Sequence, residues 1–268
     1  MSEHNISGPR VFSPTSLADA ARAWVRPLRP PPQATLRLYC LPFAGGGLSA
    51  FSNWPKELAP RIEVCPVRLP GRESRFSEPA FTRTEPLIAE LAQIVAYESE
   101  RPKALPFAIF GQSMGATLAF ELCHRLRETT RAEATRLLVA CRPAPPVPTR
   151  LEPVYHLDDD AFIEAMSKRY QAIPDEVLKQ PELLELVLPP LRSDMELIDH
   201  WRYVERTPLD MPLTVLGGRE DSSVPLEDLE VWRTLTRAES TVDVLDGGHF
   251  VIQEDPRAAL AVVRAALS

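Results

Sequence analysis

A serine that could act as a nucleophile lies at the centre of the pentapeptide Gly111-Gln112-Ser113-Met114-Gly115. The pattern G-x-S-x-G is short, so it carries weight only if a strand precedes it and a helix follows it. Residues 107–110 are a short apolar run that predicts a buried strand, and leucines spaced by four residues over 118–126 predict a helix. The flanking glycines permit a sharp turn. We therefore predict that Ser113 projects from a strand-to-helix turn, where its hydroxyl can attack a carbonyl carbon.

A serine hydroxyl needs a general base whose pKa lies near neutrality. When the nucleophile lies on a turn of this kind, a carboxylate and then a histidine follow it along the chain. His249 satisfies this order, and the preceding Gly247 and Gly248 allow its loop to fold over the edge of a sheet. The remaining histidines precede the serine or lie in segments with helical patterns: His4, His124, His156 and His200. We predict that His249 is the base.

The base in turn needs a carboxylate that orients its ring. Residues 213–216 predict a strand, and the loop after it carries Glu220 and Asp221. Position favours Asp221, because the loop needs a few residues after Gly217 to turn back toward the histidine. Glu220 is the first alternative, and Asp243 and Asp246, on the strand and loop of the histidine itself, come next.

An acyl-transfer site also needs backbone N–H groups that stabilise the oxyanion. One is expected from Met114, directly after the nucleophile, and a second from a loop after an early strand. The loop 42–47 contains three consecutive glycines and suits this role, with Ala44 as the expected donor. The glycine-rich pattern of a phosphate-binding loop is absent, since no lysine follows before Lys56.

The order of the predicted elements places these residues at one edge of a sheet. Strands alternate with helices along most of the chain, which predicts an α/β fold with a mostly parallel sheet and helices on both faces. Between about residues 150 and 210 only helical patterns occur, so we predict a helical lid inserted over the carboxyl ends of the strands. Residues 1–22 are predicted to be a weakly ordered extension, and residues 23–268 to form the domain.

Composition excludes several classes of function. A formal net charge of −7 disfavours general nucleic-acid binding. The N-terminal residues lack a signal-peptide pattern, and no apolar stretch is long enough to cross a membrane, so we expect a cytoplasmic protein. The four cysteines have no metal-ligand spacing and are expected to be buried free thiols, with no metal and no cofactor.

Several segments resemble, in order, the type II thioesterases, stand-alone editing enzymes of polyketide and nonribosomal peptide synthesis. The resemblance covers roughly residues 23–265 and rests on these segments: Leu41-Pro42-Phe43-Ala44-Gly45-Gly46-Gly47, Arg68-Leu69-Pro70-Gly71-Arg72-Glu73, Gly111-Gln112-Ser113-Met114-Gly115-Ala116, Leu188-Pro189-Pro190-Leu191-Arg192-Ser193-Asp194, Gly217-Gly218 through Asp221 and Val224, and Gly247-Gly248-His249-Phe250. One departure is the proline-rich run Cys141-Arg142-Pro143-Ala144-Pro145-Pro146, where family members tend to carry Arg-Ala-Pro.

The resemblance implies the α/β-hydrolase fold, with Ser113, Asp221 and His249 as the catalytic triad and no cofactor. It also implies hydrolysis of acyl thioesters on the phosphopantetheine arm of an acyl or peptidyl carrier protein that docks transiently, with acyl-CoA as a possible surrogate. The protein is expected to be a monomer. Because the chain is acidic overall, docking would need a local basic patch, for which the candidates are Arg142, Arg150, Lys168 and Arg169.

The large apolar residues of the lid are expected to line the acyl pocket, together with Phe43 of the glycine-rich loop. Our candidates are Met166, Leu188 and Met195, although the same spacing would serve packing within the lid equally well. Three alternative functions are a carboxylesterase for small metabolites, a fatty-acyl chain-terminating thioesterase and a hydrolase-fold binding protein without turnover. Relative rates on oxygen esters and thioesters, chain-length preference and a turnover assay distinguish them.

Overall fold

The computed structural model describes residues 14–170, 173 and 175–268, and its strands form one parallel sheet. The strands are β1 (Leu36–Leu41), β2 (Ile62–Pro66), β3 (Phe107–Gln112), β4 (Leu137–Ala140), β5 (Leu213–Gly218) and β6 (Ser240–Leu245). Their order in the sheet is β2-β1-β3-β4-β5-β6. The direction of winding reverses between β1 and β3, and open parallel sheets bind ligands outside the carboxyl ends of the strands at such a point.

Helices cover both faces of the sheet, as the sequence predicts. Along β1, Tyr39 and Leu41 join one apolar cluster, whereas Leu38 and Cys40 join the cluster on the opposite face. The helices before β4 are α1 (Pro14–Trp24), α2 (Trp54–Leu58), α3 (Thr84–Ser99) and α4 (Met114–Thr129), and those after β5 are α8 (Leu226–Glu230), α9 (Val251–Glu254) and α10 (Pro256–Ala266). Helices α5 to α7 lie between β4 and β5. Helices α1, α3, α4 and α8 pack on the first face, and α2, α9 and α10 on the second. Both faces are therefore buried, which explains the continuous apolar runs in the strands.

The N-terminal prediction needs a correction for residues 14–22. Instead of a weakly ordered extension, they belong to α1, which packs on α3. Ala21 and Trp24 are each only 1% exposed, and Leu17 packs against the same cluster. The spacing of these three residues is that of a helix face, a signal that was available in the sequence. Residues 1–13 lie outside the described residues.

Among the described residues between β4 and β5, three helices form the helical insertion: α5 (Asp159–Tyr170), α6 (Asp175–Leu178) and α7 (Pro181–His200). They have an apolar cluster of their own, built around Phe162, Met166 and Leu191. The sequence pattern predicts two helices broken at Pro189-Pro190, but α7 continues through both prolines. A proline inside a helix costs about 3 kcal/mol. Burial of Pro190 and Leu191 within the insertion offsets this cost.

Candidate active site

Ser113 occupies a sharp turn between β3 and α4. Its φ of +53° and ψ of −114° are unfavourable for a residue with a side chain. A Cβ atom at Gly111 would lie 2.0 Å from the carbonyl oxygen of Gly115, and one at Gly115 would lie 2.2 Å from that of Leu41. Only glycine fits at these two positions, so the strand, the turn and the helix can approach closely enough to project the serine from the end of the sheet.

His249 lies between Ser113 and Asp221 and contacts both. Its Nε2 atom is 2.9 Å from Ser113 Oγ, and its Nδ1 atom is 2.7 Å from Asp221 Oδ2. His249 and Asp221 are 9% and 7% exposed, so little water competes for these hydrogen bonds. Glu220 points to solvent instead. The carboxylate that reaches the histidine is therefore the one that loop position favoured in the sequence.

Two further contacts hold the histidine loop, and the sequence analysis identified neither. Gln112 and Gln253 exchange a pair of amide hydrogen bonds, each 2.9 Å long, which join the nucleophile strand to the helix after His249. A Cβ atom at Gly218 would lie 2.2 Å from the carbonyl oxygen of Gly248, so the loops carrying Asp221 and His249 touch through their backbones. The placement of Ser113, Asp221 and His249 thus depends on contacts between main chains as well as between side chains.

Ser223 is a second neighbour of the carboxylate that the sequence analysis did not identify. Its hydroxyl donates to Asp221 Oδ1 at 2.6 Å, and its N–H donates to the same oxygen at 3.0 Å. Burial raises the pKa of Asp221, but the hydrogen bonds from His249 and Ser223 outweigh burial and hold this pKa below its ordinary value. Asp221 is therefore ionised at neutral pH and can accept a hydrogen bond from the Nδ1–H group of His249.

Met114 and Ala44 lie beside Ser113 and line the same cavity. Met114 is the first residue of α4, so its N–H is one of those that no carbonyl within the helix can accept. Ala44 lies in the glycine-rich loop after β1, which turns through a hydrogen bond from Gly46 N to Phe43 O at 2.9 Å and through Gly45 at a φ of +76°. Both residues expected to supply oxyanion donors thus line the cavity that Ser113 lines.

A buried ion pair fixes the glycine-rich loop to the helical insertion. Arg72 donates from Nη1 and Nη2 to the two carboxylate oxygens of Asp194, each at 2.6 Å. Asp194 Oδ2 also accepts the N–H of Gly45 at 2.8 Å, and Arg72 Nη1 donates to the carbonyl oxygen of Gly46 at 3.0 Å. The two charged residues are 6% and 2% exposed. This arrangement, which we call the Arg72–Asp194 clamp, determines the path of the backbone next to Ala44.

The cavity above Ser113 is small and mostly apolar. Its volume of about 30 Å³ would hold about two water molecules. The described residues that line it are Phe43, Ala44, Ser113, Met114, Arg142, Met166, Tyr170, Met195, Ile198, His249 and Phe250. Three of the four expected pocket residues are in this set. Leu188 is not, although it packs in the same apolar cluster of the insertion as Met166 and Met195.

The four cysteines are free and buried, as expected from their sequence positions. Within the described part of the chain, no three His, Cys, Asp or Glu side chains are grouped so that they could hold a metal ion. None of the described helices combines the length and the apolar character that a transmembrane segment needs. Arg150, one of the four basic residues expected to contact a carrier protein, forms an ion pair with Asp228.

The sequence of this chain matches a known protein family. The family described as "Thioesterase domain" matches residues 36–266. The chain belongs to the thioesterase family. The fold of this thioesterase is that of the α/β-hydrolases.

Individual similar proteins agree with this assignment. The thioesterase is 36% identical to the gramicidin S biosynthesis protein GrsT of Aneurinibacillus migulanus, over 82% of this chain and 84% of GrsT. The solved structure of the type II thioesterase BorB from the borrelidin biosynthetic cluster is 32% identical, with a TM-score of 0.80 over 92% of this chain and 98% of BorB. YbtT, a type II thioesterase from the yersiniabactin NRPS/PKS pathway, is 28% identical, with a TM-score of 0.79 over 91% of this chain and 98% of YbtT. The resemblance that the motifs indicated is confirmed.

Proposed function

We propose that this thioesterase removes stalled or aberrant acyl groups from the phosphopantetheine arm of a carrier protein, with Ser113, His249 and Asp221 as its catalytic triad. The observation that carries the proposal is the unbroken hydrogen-bonded chain from Ser113 Oγ through His249 to Asp221, at 2.9 and 2.7 Å. BorB and YbtT, whose names place them in biosynthetic assembly pathways, support the carrier-bound substrate.

The geometry supports a two-step acyl transfer. Ser113 Oγ attacks the thioester carbonyl carbon while His249 Nε2 takes the hydroxyl proton. The N–H groups of Met114 and Ala44 donate to the oxyanion of the tetrahedral intermediate. When the C–S bond breaks, His249 returns the proton to the departing sulfur, which leaves a thiol and an acyl ester on Ser113. Water then attacks that ester by the same route, and a carboxylic acid and the free serine are the products.

The direct test compares one acyl group on three leaving groups: a holo carrier protein, coenzyme A and an oxygen alcohol. We expect kcat/KM to be highest on the carrier, because the carrier adds contacts that coenzyme A lacks, and lowest on the oxygen ester. Oxygen-ester turnover as fast as thioester turnover would support the carboxylesterase alternative. A steep preference for medium or long saturated chains over short ones would support the chain-terminating alternative.

The small cavity predicts how the acyl group is selected. We expect Met195→Ala or Met166→Ala to raise kcat/KM for longer acyl thioesters relative to short ones by about 10-fold, since pocket changes of this size are worth about 1–3 kcal/mol. Leu188→Ala is the matched control, because Leu188 belongs to the same apolar cluster as the two methionines but does not line the cavity. A change in chain-length ranking for Leu188→Ala, or none for either methionine variant, would contradict this account of the pocket.

The Arg72–Asp194 clamp predicts a joint effect on stability and turnover. Asp194→Asn leaves a buried arginine without its counter-charge, and breaking a buried pair costs about 3–5 kcal/mol. Because the glycine-rich loop loses its anchor, we expect kcat to fall by up to about 100-fold. Chemical denaturation and steady-state kinetics measure the two effects.

Asp159→Asn provides the control for the clamp. Asp159 pairs with Arg192 at 2.6 Å, but its side chain is 71% exposed, so the loss should stay below about 1 kcal/mol with kcat unchanged. Equal effects of the Asp194 and Asp159 substitutions would show that the clamp does not position the loop.

A further inference from the structure

Among the described residues that line the mostly apolar acyl cavity, Arg142 carries a permanent charge. Arg142 follows β4 and lines the cavity together with aromatic residues and methionines, beside Ser113 and His249. Its backbone carbonyl accepts a hydrogen bond from Trp232 Nε1 at 2.9 Å, which joins the main chain at Arg142 to the segment that follows α8. The side chain is half-buried. A cation in such a place either has a counter-charge in the protein or is provided with one by a ligand.

Within the described part of the chain, the Arg142 guanidinium forms no hydrogen bond and no ion pair. Asp199 is the carboxylate that acts on it electrostatically, but it lies outside ion-pair distance and accepts the N–H of Val154 at 3.2 Å. Burial lowers the pKa of Arg142, while Tyr170 and Asp199 act in the opposite direction. Arg72, by contrast, donates hydrogen bonds to both carboxylate oxygens of Asp194.

Tyr170 provides a second polar group at the same wall. Its ring centroid lies 4.7 Å from that of His249, and it interacts electrostatically with Arg142. Burial raises the pKa of Tyr170, so its hydroxyl keeps its proton and can donate a hydrogen bond. No hydrogen bond joins this hydroxyl to another described residue. A guanidinium and a phenol therefore face one small space next to the catalytic histidine.

We propose that Arg142 and Tyr170 form a subsite for a carboxylate carried by the acyl group, so that malonyl- and succinyl-type thioesters are substrates. The proposal rests on the hydrolysis described under Proposed function. A carboxylate matches the planar donors of arginine, and the phenol adds a third donor. The apolar wall accommodates the one or two methylenes between the thioester carbonyl and the carboxylate. A neutral acyl group of the same shape leaves the guanidinium unpaired, which is the basis for discrimination.

The test uses pairs of coenzyme A thioesters that differ in charge but not in shape: malonyl with isovaleryl, and succinyl with 4-methylpentanoyl. For each pair, the ratio of kcat/KM is measured in the wild type and in Arg142→Met, with uncatalysed hydrolysis subtracted. We expect Arg142→Met to lower the charged-to-neutral ratio by about 10- to 100-fold, as for the loss of a hydrogen bond to a charged group. Arg142→Lys should recover part of the ratio, and Tyr170→Phe should lower it by about 2- to 10-fold.

Binding and control measurements separate this subsite from a structural role. In a Ser113→Ala background, Arg142→Met should weaken calorimetric binding of malonyl-CoA but not of isovaleryl-CoA. Arg150→Gln is the matched control, because Arg150 lies on the loop that follows Arg142, is paired with Asp228 and has a side chain that is 59% exposed. Its charged-to-neutral ratio should equal that of the wild type.

The outcomes separate this proposal from the one on which it rests. An equal loss for charged and neutral thioesters in Arg142→Met would overturn the subsite and assign the arginine to the pantetheine arm or to packing. Rates that Arg142→Met leaves unchanged for charged and neutral thioesters alike would also overturn it. If the wild type hydrolyses none of the four thioesters, on coenzyme A or on a carrier, the proposed function itself fails.

Discussion

Replacing Ser113 by alanine is expected to abolish thioester hydrolysis while the protein stays folded. Members of a triad act as a unit, so we expect kcat to fall by about 10⁴- to 10⁶-fold, with a similar loss in His249→Ala. Alanine keeps the Cβ atom and therefore the backbone conformation at a φ of +53°. The free energy of unfolding should change by less than about 0.5 kcal/mol. Single-turnover release of an acyl group from a carrier protein measures the loss of activity.

A covalent probe makes the same prediction testable without turnover. A fluorophosphonate should label the wild type and fail to label Ser113→Ala. Ser222→Ala is the matched control, since Ser222 is exposed and adjacent to Asp221, and it should keep both labelling and full activity. Residual turnover in Ser113→Ala within 10-fold of the wild type would contradict the serine mechanism, because no other group is proposed to form the acyl ester.

Replacing Asp221 by asparagine is expected to cost about 10⁴-fold in kcat. The carboxylate accepts a hydrogen bond from His249 Nδ1, which keeps the other ring nitrogen free to take the proton of Ser113. An asparagine amide presents N–H donors as well, so it can hold the ring in the wrong tautomer. The low pKa of Asp221 means that the wild-type group is fully charged at neutral pH. Steady-state kinetics on one acyl thioester is sufficient to measure this loss.

Glu220→Gln is the matched control for Asp221→Asn, since the two residues are adjacent and only Asp221 contacts His249. Glu220 is exposed, so its variant should retain the wild-type kcat. Small and equal losses in the two variants would place the orienting carboxylate elsewhere, with Asp243 and Asp246 as the residues to examine next. A large loss in Glu220→Gln alone would reverse the assignment.

Local sequence was sufficient for the features that depend on neighbours in the chain. The apolar run 107–110 and the spaced leucines 118, 122 and 126 predicted a strand and a helix, and β3 and α4 contain them. The glycines around Ser113 indicated a turn that a Cβ atom would obstruct, and the contacts at Gly111 and Gly115 show that obstruction. Strand propensity, helical periodicity and glycine's freedom are properties of a short segment.

Errors arose where distant segments decide the outcome. The prolines at 189 and 190 predicted a helix break, yet α7 runs through them because Pro190 and Leu191 are buried in the insertion. Leu188 was expected in the acyl pocket, but it is buried in the apolar cluster of the insertion without lining the cavity. The apolar periodicity of a helix shows that a face is buried, and it does not show which of two neighbouring apolar spaces buries it.

The sequence by itself indicated the order of a serine, a carboxylate and a histidine and the loops that carry them, because those loops follow recognisable strands. Only the tertiary structure decided which carboxylate reaches the histidine, which glycine-rich segment Arg72 and Asp194 hold, and that Arg142 lines the cavity with no hydrogen bond from its guanidinium to any described residue. These contacts join residues up to 149 positions apart in the chain, as between Gly45 and Asp194 in the Arg72–Asp194 clamp. Their geometry depends on how the sheet and the helical insertion pack, and no local pattern records that packing.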